Sequence, residues 1–145
     1  MFVRMPEIRE KLDLSQRNIA KLLSVSKSTY ARWETGEKII PLNHLIGFAN
    51  ITKYNLDYIT GLSDDLKILN YDIKIDRKKL SNRLRNIRLS VNLTQLEFAI
   101  ILNTVQSVVS DFETGKTLIQ TSFIFQICKM YNISLDKLLN KKRMK

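Results

Sequence analysis

A basic and polar helical face lies within the stretch 15–36 of this 145-residue chain. Lys27, Ser28 and Arg32 share one side of a short helix that opens after Ser26. Lysine and arginine donate hydrogen bonds to the guanine acceptors in the DNA major groove, and arginine can donate two at once. Ser26 can cap that helix, whose first backbone N–H groups can also meet a phosphate. These residue types at this spacing predict contact with a nucleic acid.

The sequence contains few residues that could carry out catalysis. The chain has one histidine, His44, and one cysteine, Cys128, and neither belongs to a catalytic or metal-ligand spacing. We expect His44 at the surface or half-buried, and Cys128, among apolar neighbours, as a small core residue. One cysteine also excludes an internal disulfide and favours a reducing compartment. The sequence therefore predicts a protein that is not an enzyme and has no metal or cofactor.

Composition and charge agree with a nucleic-acid partner. Hydrophobic content of 44% with four Gly and two Pro suits compact helices. A net charge of +10 favours a polyanionic partner, either nucleic acid or an acidic membrane surface. The longest purely apolar run, about 98–102, is too short to span a bilayer, and charges interrupt the N-terminal stretch before a secretory signal could develop. We therefore expect a cytoplasmic protein.

Two helical patterns must be held at a fixed angle to present the basic face of 15–36. The small residues Ser24-Val25 form the joint between them, and Gly36 can end the second in a left-handed conformation. Tyr30 and Trp33 lie three apart on the inward side of the second helix. Two helices that cross at a small residue, with a basic face on the second, form the helix-turn-helix arrangement that enters the major groove.

Three further helices complete a unit of about sixty residues. The first begins near Met5-Pro6, a fourth runs over about 42–53, and Asn55 can cap a short fifth at 56–60. Helical spacing places these residues of the three helices inward: Met5, Ile8, Leu12, Leu45, Phe48, Ala49 and Thr52.

The whole unit returns 79 residues later without a gap. Gln16 falls on Gln95, and residues 34–36 fall on 113–115. A match that keeps one offset over almost sixty positions is an internal repeat. We therefore expect a domain at 1–62, a linker at 63–80, a second domain at 81–140 and a basic tail at 141–145.

The linker and the charge distribution leave alternatives open. Leu69, Tyr71, Ile73 and Ile75 alternate with polar residues at a strand period. This period fits an extended linker, which we favour, or a strand that pairs with its copy in a second subunit. Residues 1–72 carry a net charge of +1 and residues 73–145 a net charge of +9, with the excess at 74–88 and 137–145. These clusters fit a solvated face and phosphate contacts about equally well.

Each half resembles the lambda and 434 repressor–Cro class of helix-turn-helix domain, the XRE-type family of bacterial and phage regulators. The resemblance rests on R-x4-L-S/T-Q-x3-A-x-x-L followed by E-x-G, over 9–36 and 88–115, and on Leu-Asp-x-Ile/Leu at Leu56 and Leu135. It implies an all-α fold of two tandem five-helix lambda-repressor-like HTH domains. It also implies a regulator of transcription, most often a repressor, that binds double-stranded DNA. Such regulators place two recognition helices about one DNA turn apart, which a tandem chain can do within a monomer or by dimerising, and of the two we expect a homodimer.

Site residues follow from the same resemblance. The expected DNA-binding residues are Gln16, Arg17, Ser26, Lys27, Ser28, Thr29, Arg32 and Lys38 in the first half, and Thr94, Gln95, Gln106, Ser107, Ser110 and Lys116 in the second. The arginine of each first helix is expected to pair, for structural reasons, with the glutamate that ends each third helix, as Arg9–Glu34 and Arg88–Glu113.

The two halves are not equally suited to DNA. Val105 stands where Ser26 caps its helix, and Asp111 stands where Arg32 lies. A carboxylate is repelled by phosphates and finds a base partner only at the cytosine amino group, although Gln106 can read adenine. Both halves could therefore read DNA, or the second half could be a dimerisation or docking module for a toxin, an antirepressor or another protein. A non-specific nucleic-acid binder that uses its basic linker is a third alternative.

Overall fold

The computed structural model describes residue 2 and residues 4–140, and this part of the chain is helical. Its helices are α1 (Arg4–Lys11), α2 (Gln16–Leu22), α3 (Lys27–Thr35), α4 (Leu42–Thr52), α5 (Leu56–Thr60), α6 (Arg77–Ser90), α7 (Gln95–Ile101), α8 (Gln106–Thr114), α9 (Thr121–Tyr131) and α10 (Leu135–Leu139). We call α1–α5 the first repeat and α6–α10 the second repeat. The predicted all-α fold of two tandem five-helix HTH domains is confirmed, and the expected tail at 141–145 lies outside the described residues.

The α6 helix is longer than its counterpart α1. An offset of 79 would place its start at Arg83, but it begins at Arg77. Asp76 caps it, because its carboxylate accepts a hydrogen bond from the backbone N–H of Lys79 at 3.1 Å. The helix therefore occupies the last four residues of the stretch 63–80 that was expected to be linker.

Local caps begin the second helix of each repeat. The Ser15 hydroxyl accepts a hydrogen bond from the backbone N–H of Asn18 at 3.0 Å, and the Thr94 hydroxyl accepts one from Glu97 at 3.1 Å. In both cases the side chain three residues on accepts from the backbone N–H of the cap residue, which completes a capping box. These reciprocal bonds fix where α2 and α7 start.

Left-handed residues make the turns between the two helices of each helix-turn-helix. Ser24 has φ of 59° and Asn103 has φ of 58°. Asparagine adopts this conformation more readily than serine, so the first turn is the more strained of the two. Gly36 and Gly115, each with φ of 81°, end the third helix of each repeat.

Buried side chains form the core at nearly all the positions predicted to face inward. Met5, Ile8, Tyr30, Trp33, Leu45, Phe48, Ala49, Thr52 and Cys128 are buried. The prediction for Leu12 was wrong: its side chain is 40% exposed, because α1 ends at Lys11 and Leu12 belongs to the following turn. His44 is half-buried, and its ring lies 5.2 Å from that of Trp33.

The linker folds back on the end of α4. The backbone N–H of Leu69 donates to the carbonyl of Lys53 at 2.7 Å, and Asn55 and Lys67 exchange two further hydrogen bonds. Of the described residues in the linker, only Ile68 makes an isolated β-bridge, with Tyr54. The alternation in the sequence therefore reflects an extended segment that pairs with the first repeat of its own chain.

A second clamp holds the linker farther along. The side-chain amide of Asn50 donates to the carbonyl of Ile73 at 3.0 Å and accepts from its backbone N–H at 2.7 Å. Leu69 and Ile73 are buried in the core, whereas Tyr71, between them, is 42% exposed. Alternate apolar side chains are thus not equivalent here, because the chain turns between Leu69 and Ile73.

The two repeats pack together through the first turns of α5 and α10. The carboxylate of Asp136 accepts hydrogen bonds from the backbone N–H groups of Leu56 and Asp57, both at 2.8 Å. In return, the carboxylate of Asp57 accepts from the backbone N–H of Leu135 at 2.7 Å and from the Ser134 hydroxyl at 2.5 Å. Each aspartate therefore caps the short helix of the other repeat.

This cross-capping corrects the expected role of Asn55. Asn55 does occupy the cap position of α5, but its side chain makes no cap hydrogen bond. Its amide instead bonds the linker at Asp65 and Lys67. The orphan N–H groups at the start of α5 are satisfied by Asp136, a residue 80 positions away from Leu56.

Further contacts extend the interface between repeats. The rings of Phe2 and Phe125 stack at 5.5 Å, and the Thr121 hydroxyl donates to the carbonyl of Ile40 at 2.6 Å. Residues 39–43 and their copies 118–122 together line one cleft. Because the buried apolar side chains of both repeats form one continuous cluster, the repeats share a core.

Candidate nucleic-acid interface

The first repeat exposes basic side chains on α2 and α3. Arg17 and Lys21 lie one turn apart on α2, and both are exposed. Lys27, Ser28 and Arg32 are exposed on α3, as the sequence predicted. The Arg32 guanidinium lies 3.7 Å from the Glu37 carboxylate, in a contact that solvent screens on both sides. This surface, which we call the first reading face, offers four cations to a polyanion.

Hydroxyl groups organise the start of α3. The Ser26 hydroxyl accepts from the backbone N–H of Thr29 at 3.1 Å and donates to the Thr29 hydroxyl at 2.9 Å. Ser28 lies 3.2 Å from the Ser26 hydroxyl. Thr29 is half-buried and bound by the cap, so Ser26 and Ser28 are the more accessible hydroxyls for a phosphate.

A partly buried ion pair fixes the first reading face from behind. The Arg9 guanidinium bonds both oxygens of Glu34, at 2.8 and 3.2 Å, and also reaches the carbonyl of Leu14. The Gln16 amide donates to the same carboxylate at 3.0 Å. Burial opposes ionisation of Glu34, but the hydrogen bonds from Arg9 and Gln16 outweigh it and lower the pKa of Glu34. The start of α2 and the end of α3 are therefore tied to α1.

The second repeat forms the same pair in a drier setting. Arg88 bonds both oxygens of Glu113, at 2.7 and 2.9 Å, and reaches the carbonyl of Leu93. The Gln95 amide donates to Glu113 at 3.2 Å. The side chains of Arg88 and Glu113 are only 9% and 1% exposed. The two arginine–glutamate pairs that the family resemblance implied are both formed.

The remaining expected site residues of the second repeat lie at the cap of α7, on α8 and in the loop that follows α8. Gln106 and Ser107 are exposed on α8, whereas Ser110 and Asp111 are half-buried. Thr94 is exposed and engaged in its capping box, and Lys116 is exposed after α8, as Lys38 is after α3. Val105 begins α8 without a side-chain cap hydrogen bond.

Apolar side chains are exposed on the second repeat where the first repeat is basic. Leu96 is 54% exposed and Ile100 is 68% exposed, at the positions equivalent to Arg17 and Lys21. Val105, 60% exposed, stands at the position of Ser26. We call the exposed surface of α7 and α8 the second reading face. Lys21, Leu96 and Ile100 were not singled out from the sequence. An alignment of the two copies at the offset of 79 would have shown that Leu96 and Ile100 stand where the first copy has Arg17 and Lys21.

Groups suited to other chemistry are sparse in the described part of the chain. Burial raises the pKa of the Cys128 thiol to about 12, so the thiol stays protonated at neutral pH. No cluster of three or more His, Cys, Asp or Glu side chains that could hold a metal occurs among residues 2 and 4–140. Within the same residues, no helix is both long and apolar enough to cross a membrane.

The chain belongs to the Helix-turn-helix family HTH_3, whose model matches it twice, over residues 7–59 and 84–138. A helix-turn-helix fold is thus present in both repeats, and the XRE-type resemblance is confirmed.

Two relatives support this assignment. The chain is 32% identical over 81 residues to the "Uncharacterized HTH-type transcriptional regulator YobD" of Bacillus subtilis, a match that covers 56% of this chain and 68% of the relative. It is 33% identical over 67 residues to "Antitoxin PezA" of Streptococcus pneumoniae, where 42% of each chain is covered. No solved structure matches the chain. The relatives therefore support a DNA-binding regulator.

Proposed function

We propose that the protein is a sequence-specific regulator of transcription that reads the DNA major groove with α3, the third helix of the first repeat. The observation that carries the proposal is the first reading face. Arg17, Lys21, Lys27 and Arg32 are exposed on the two helices of a helix-turn-helix whose position is fixed by a partly buried ion pair.

Two kinds of contact follow from the placement of these cations. Lys27 and Arg32 lie on α3, where side chains reach base edges, and both can donate to guanine acceptors. Arg17 and Lys21 lie on α2, the helix that crosses the backbone, and are placed for phosphates, with Gln16 at the start of that helix. Binding to phosphates releases counterions, so affinity should fall steeply as salt rises.

Repression is the regulatory outcome we propose. The support is the resemblance of both repeats to the lambda and 434 repressor–Cro class. A reporter gene placed behind a selected binding site tests the outcome: expression should fall when the protein is produced, and a rise would identify an activator.

Replacing the two base-reading cations tests the proposed function directly. Lys27→Ala with Arg32→Ala should weaken binding to a selected duplex by at least tenfold, because each side chain provides a base contact. The matched control is Lys67→Ala with Lys129→Ala, which removes the same positive charge from exposed positions outside the reading faces. Equal losses for both double variants, measured by fluorescence anisotropy at fixed salt, would contradict readout by α3.

Arg17→Ala separates phosphate contacts from base contacts. This variant should weaken selected and unselected duplexes alike and reduce the slope of log affinity against log salt by about one. Lys27→Ala should instead reduce the preference for the selected duplex. If Arg17→Ala changes sequence preference and leaves the salt slope intact, the assignment of α2 to the phosphates is wrong.

A second candidate function concerns the second repeat alone. Leu96, Ile100 and Val105 expose apolar surface at the position where the first repeat is basic, and exposed apolar patches mark interaction sites. The similarity to a protein named an antitoxin also favours a protein partner. Under this alternative the second repeat is a dimerisation or docking module, and DNA is bound by the first repeat. The homodimer expected from the sequence stays a prediction.

Restoring the basic residues of the first repeat on the second distinguishes the two functions. Leu96→Arg with Ile100→Lys copies Arg17 and Lys21 onto exposed positions. A DNA-binding second repeat should gain affinity for DNA, whereas a docking module should lose its partner or change its mass in solution. Gln106→Glu with Ser107→Glu makes the opposite test. The added carboxylates should weaken DNA binding only if the second repeat contacts DNA.

A further inference from the structure

We propose that a single chain works as a built-in dimer, whose first and second repeats bind two unequal half-sites of one duplex about one helical turn apart. The inference rests on the proposed DNA-binding function and adds the architecture of the DNA site. It assigns the second reading face to DNA and makes a protein partner there an outcome of the test.

The contact between the repeats has two-fold character. Asp57 caps the start of α10, and Asp136, its copy 79 residues later, caps the start of α5. An exchange in which residue i contacts the copy of j, and j contacts the copy of i, defines an isologous interface. Homodimeric helix-turn-helix proteins use this symmetry to place two recognition helices on one duplex.

Hydrogen bonds and ring stacking between the repeats fix their relative position. Asp57 lies against Ser134 and Leu135, and Phe2 of the first repeat stacks on Phe125 of the second. The linker is clamped to the first repeat by Asn50, and its Ile73 joins the shared core. The repeats therefore form one body with two reading faces.

Short segments connect the recognition helices to the cleft between the repeats. The α3 helix ends at Thr35, and residues 39–43 line this cleft together with residues 118–122. Four residues of chain span at most about 14 Å, and half of a nine-residue helix is about 7 Å long. Segments of these lengths permit α3 and α8 to reach half-sites about one turn of DNA, ~34 Å, apart.

The two half-sites must differ, because the side chains on the two faces differ. Lys27 and Arg32 of the first repeat suit guanine. On the second repeat, Gln106 suits adenine and the apolar Val105 suits the methyl group of thymine. We infer a G-containing half-site for the first repeat and an A·T-rich half-site for the second.

Phosphate contacts are also divided unequally. Arg17 and Lys21 of α2 are replaced on α7 by Leu96 and Ile100. Neutral side chains release no counterions. The phosphate contacts of α2 should therefore account for more of the salt dependence of DNA affinity than those of α7.

Stoichiometry on a selected duplex provides the first test. The full chain is used to select binders from a random 40-base-pair library, and native mass spectrometry counts the chains on each selected duplex. We expect one chain per duplex and a hydroxyl-radical footprint with two protected regions about one turn apart. Two chains per duplex with identical half-sites would overturn the inference and fit the predicted homodimer.

Changing the spacing provides the second test. Five inserted base pairs turn the second half-site to the opposite side of the duplex, so wild-type affinity should fall by about tenfold. Gln106→Ala should cause a similar loss on the original duplex and no further loss on the one with the insertion. Tolerance of the insertion by the wild-type chain would show independent repeats and overturn the proposal.

Removing the two aspartates that cap the opposite repeat tests whether the contact between the repeats imposes the spacing requirement. Asp57→Ala with Asp136→Ala should make the affinity insensitive to the insertion. Asp76→Ala, which removes a cap on α6 away from the contact between repeats, should leave the sensitivity unchanged. If the double variant does not fold, the affinities of the wild type and Gln106→Ala for the two duplexes still test the proposal.

The remaining outcomes separate this inference from the proposed function. Protection of one half-site only, with a protein partner bound at the second reading face, would overturn the inference and leave the proposed function standing. Failure to select any sequence would overturn both.

Discussion

At the scale of single residues, the two arginine–glutamate pairs connect stability to readout. Arg9 and Arg88 each reach from the first helix of a repeat to the glutamate that ends its third helix. The glutamine that starts the second helix joins the same carboxylate. Residues behind the first reading face therefore set the position of the side chains that we propose to read the bases.

Arg88→Ala should be the more damaging of the two arginine truncations. It leaves Glu113, with a side chain only 1% exposed, as a buried carboxylate without its cation, so the free energy of unfolding should fall by about 3–5 kcal/mol. Arg9→Ala should cost less, because that pair is more exposed. Urea denaturation measures both, with Arg85→Ala on the exposed side of α6 as control. A loss at Arg85 equal to that at Arg88 would contradict a role for the ion pair.

The loss of folding stability at acid pH should depend on Glu34. Its pKa in the folded protein lies below the ordinary value of 4.5, so ionised Glu34 stabilises the fold at neutral pH. This stabilisation is complete above the ordinary pKa and is lost as pH falls through the lowered one. Denaturation between pH 7 and pH 3 should show a steeper decline for the wild type than for Glu34→Gln. Identical declines would show that Glu34 contributes nothing to the pH dependence.

At the scale of elements, the third helices of the repeats begin differently. Ser26 caps α3 with its hydroxyl, whereas Val105, at the cap position of α8, makes no such bond. The same fold thus tolerates the loss of a cap in one copy. What the second repeat gains is exposed apolar surface at a position that faces away from its core.

Val105→Ser should restore the missing cap. A serine there can accept a hydrogen bond from the third N–H of α8, which should raise the free energy of unfolding by about 0.5–2 kcal/mol. Val105→Ala removes the same apolar side chain without adding an acceptor and serves as the control. Thermal denaturation compares the variants, and equal stability of Ser and Ala at this position would refute the capping argument.

At the scale of the whole molecule, the repeats share one core across a two-fold contact. Trp33, the one tryptophan of the sequence, lies in the first repeat. Its fluorescence therefore reports on the first repeat, whereas far-UV circular dichroism reports on the helices of both.

The two signals should change together during denaturation of the wild-type chain, because repeats that share a core unfold as one unit. In Asp57→Ala with Asp136→Ala the two transitions should separate. Asp76→Ala should lower stability by about 1 kcal/mol and keep the transitions coincident. Separate transitions in the wild type would show that the contact between repeats is too weak to couple them.

Much of the fold follows from local and repeated features. Ser15, Ser26 and Gly36 mark helix ends through hydrogen bonds and dihedral preferences within a few residues of each other, and Thr94 and Gly115 repeat the signal of Ser15 and Gly36 in the second copy. The inward positions of α4 follow from helical spacing, which is also local. Leu12 was misassigned because periodicity does not report where a helix stops, and α6 begins earlier than its counterpart because Asp76 is present at its start.

The amino-acid sequence by itself determined two copies of a helix-turn-helix unit and the exposed cations of the first. The tertiary structure decided how the copies meet. In the sequence, Asp57 and Asp136 are ordinary acidic residues in the first turns of short helices, placed to favour the dipole of their own helix. Only the folded chain brings each to the other helix, because that contact depends on the mutual position of elements about 79 residues apart. Local conformational preferences do not specify a contact between residues so far apart in the chain.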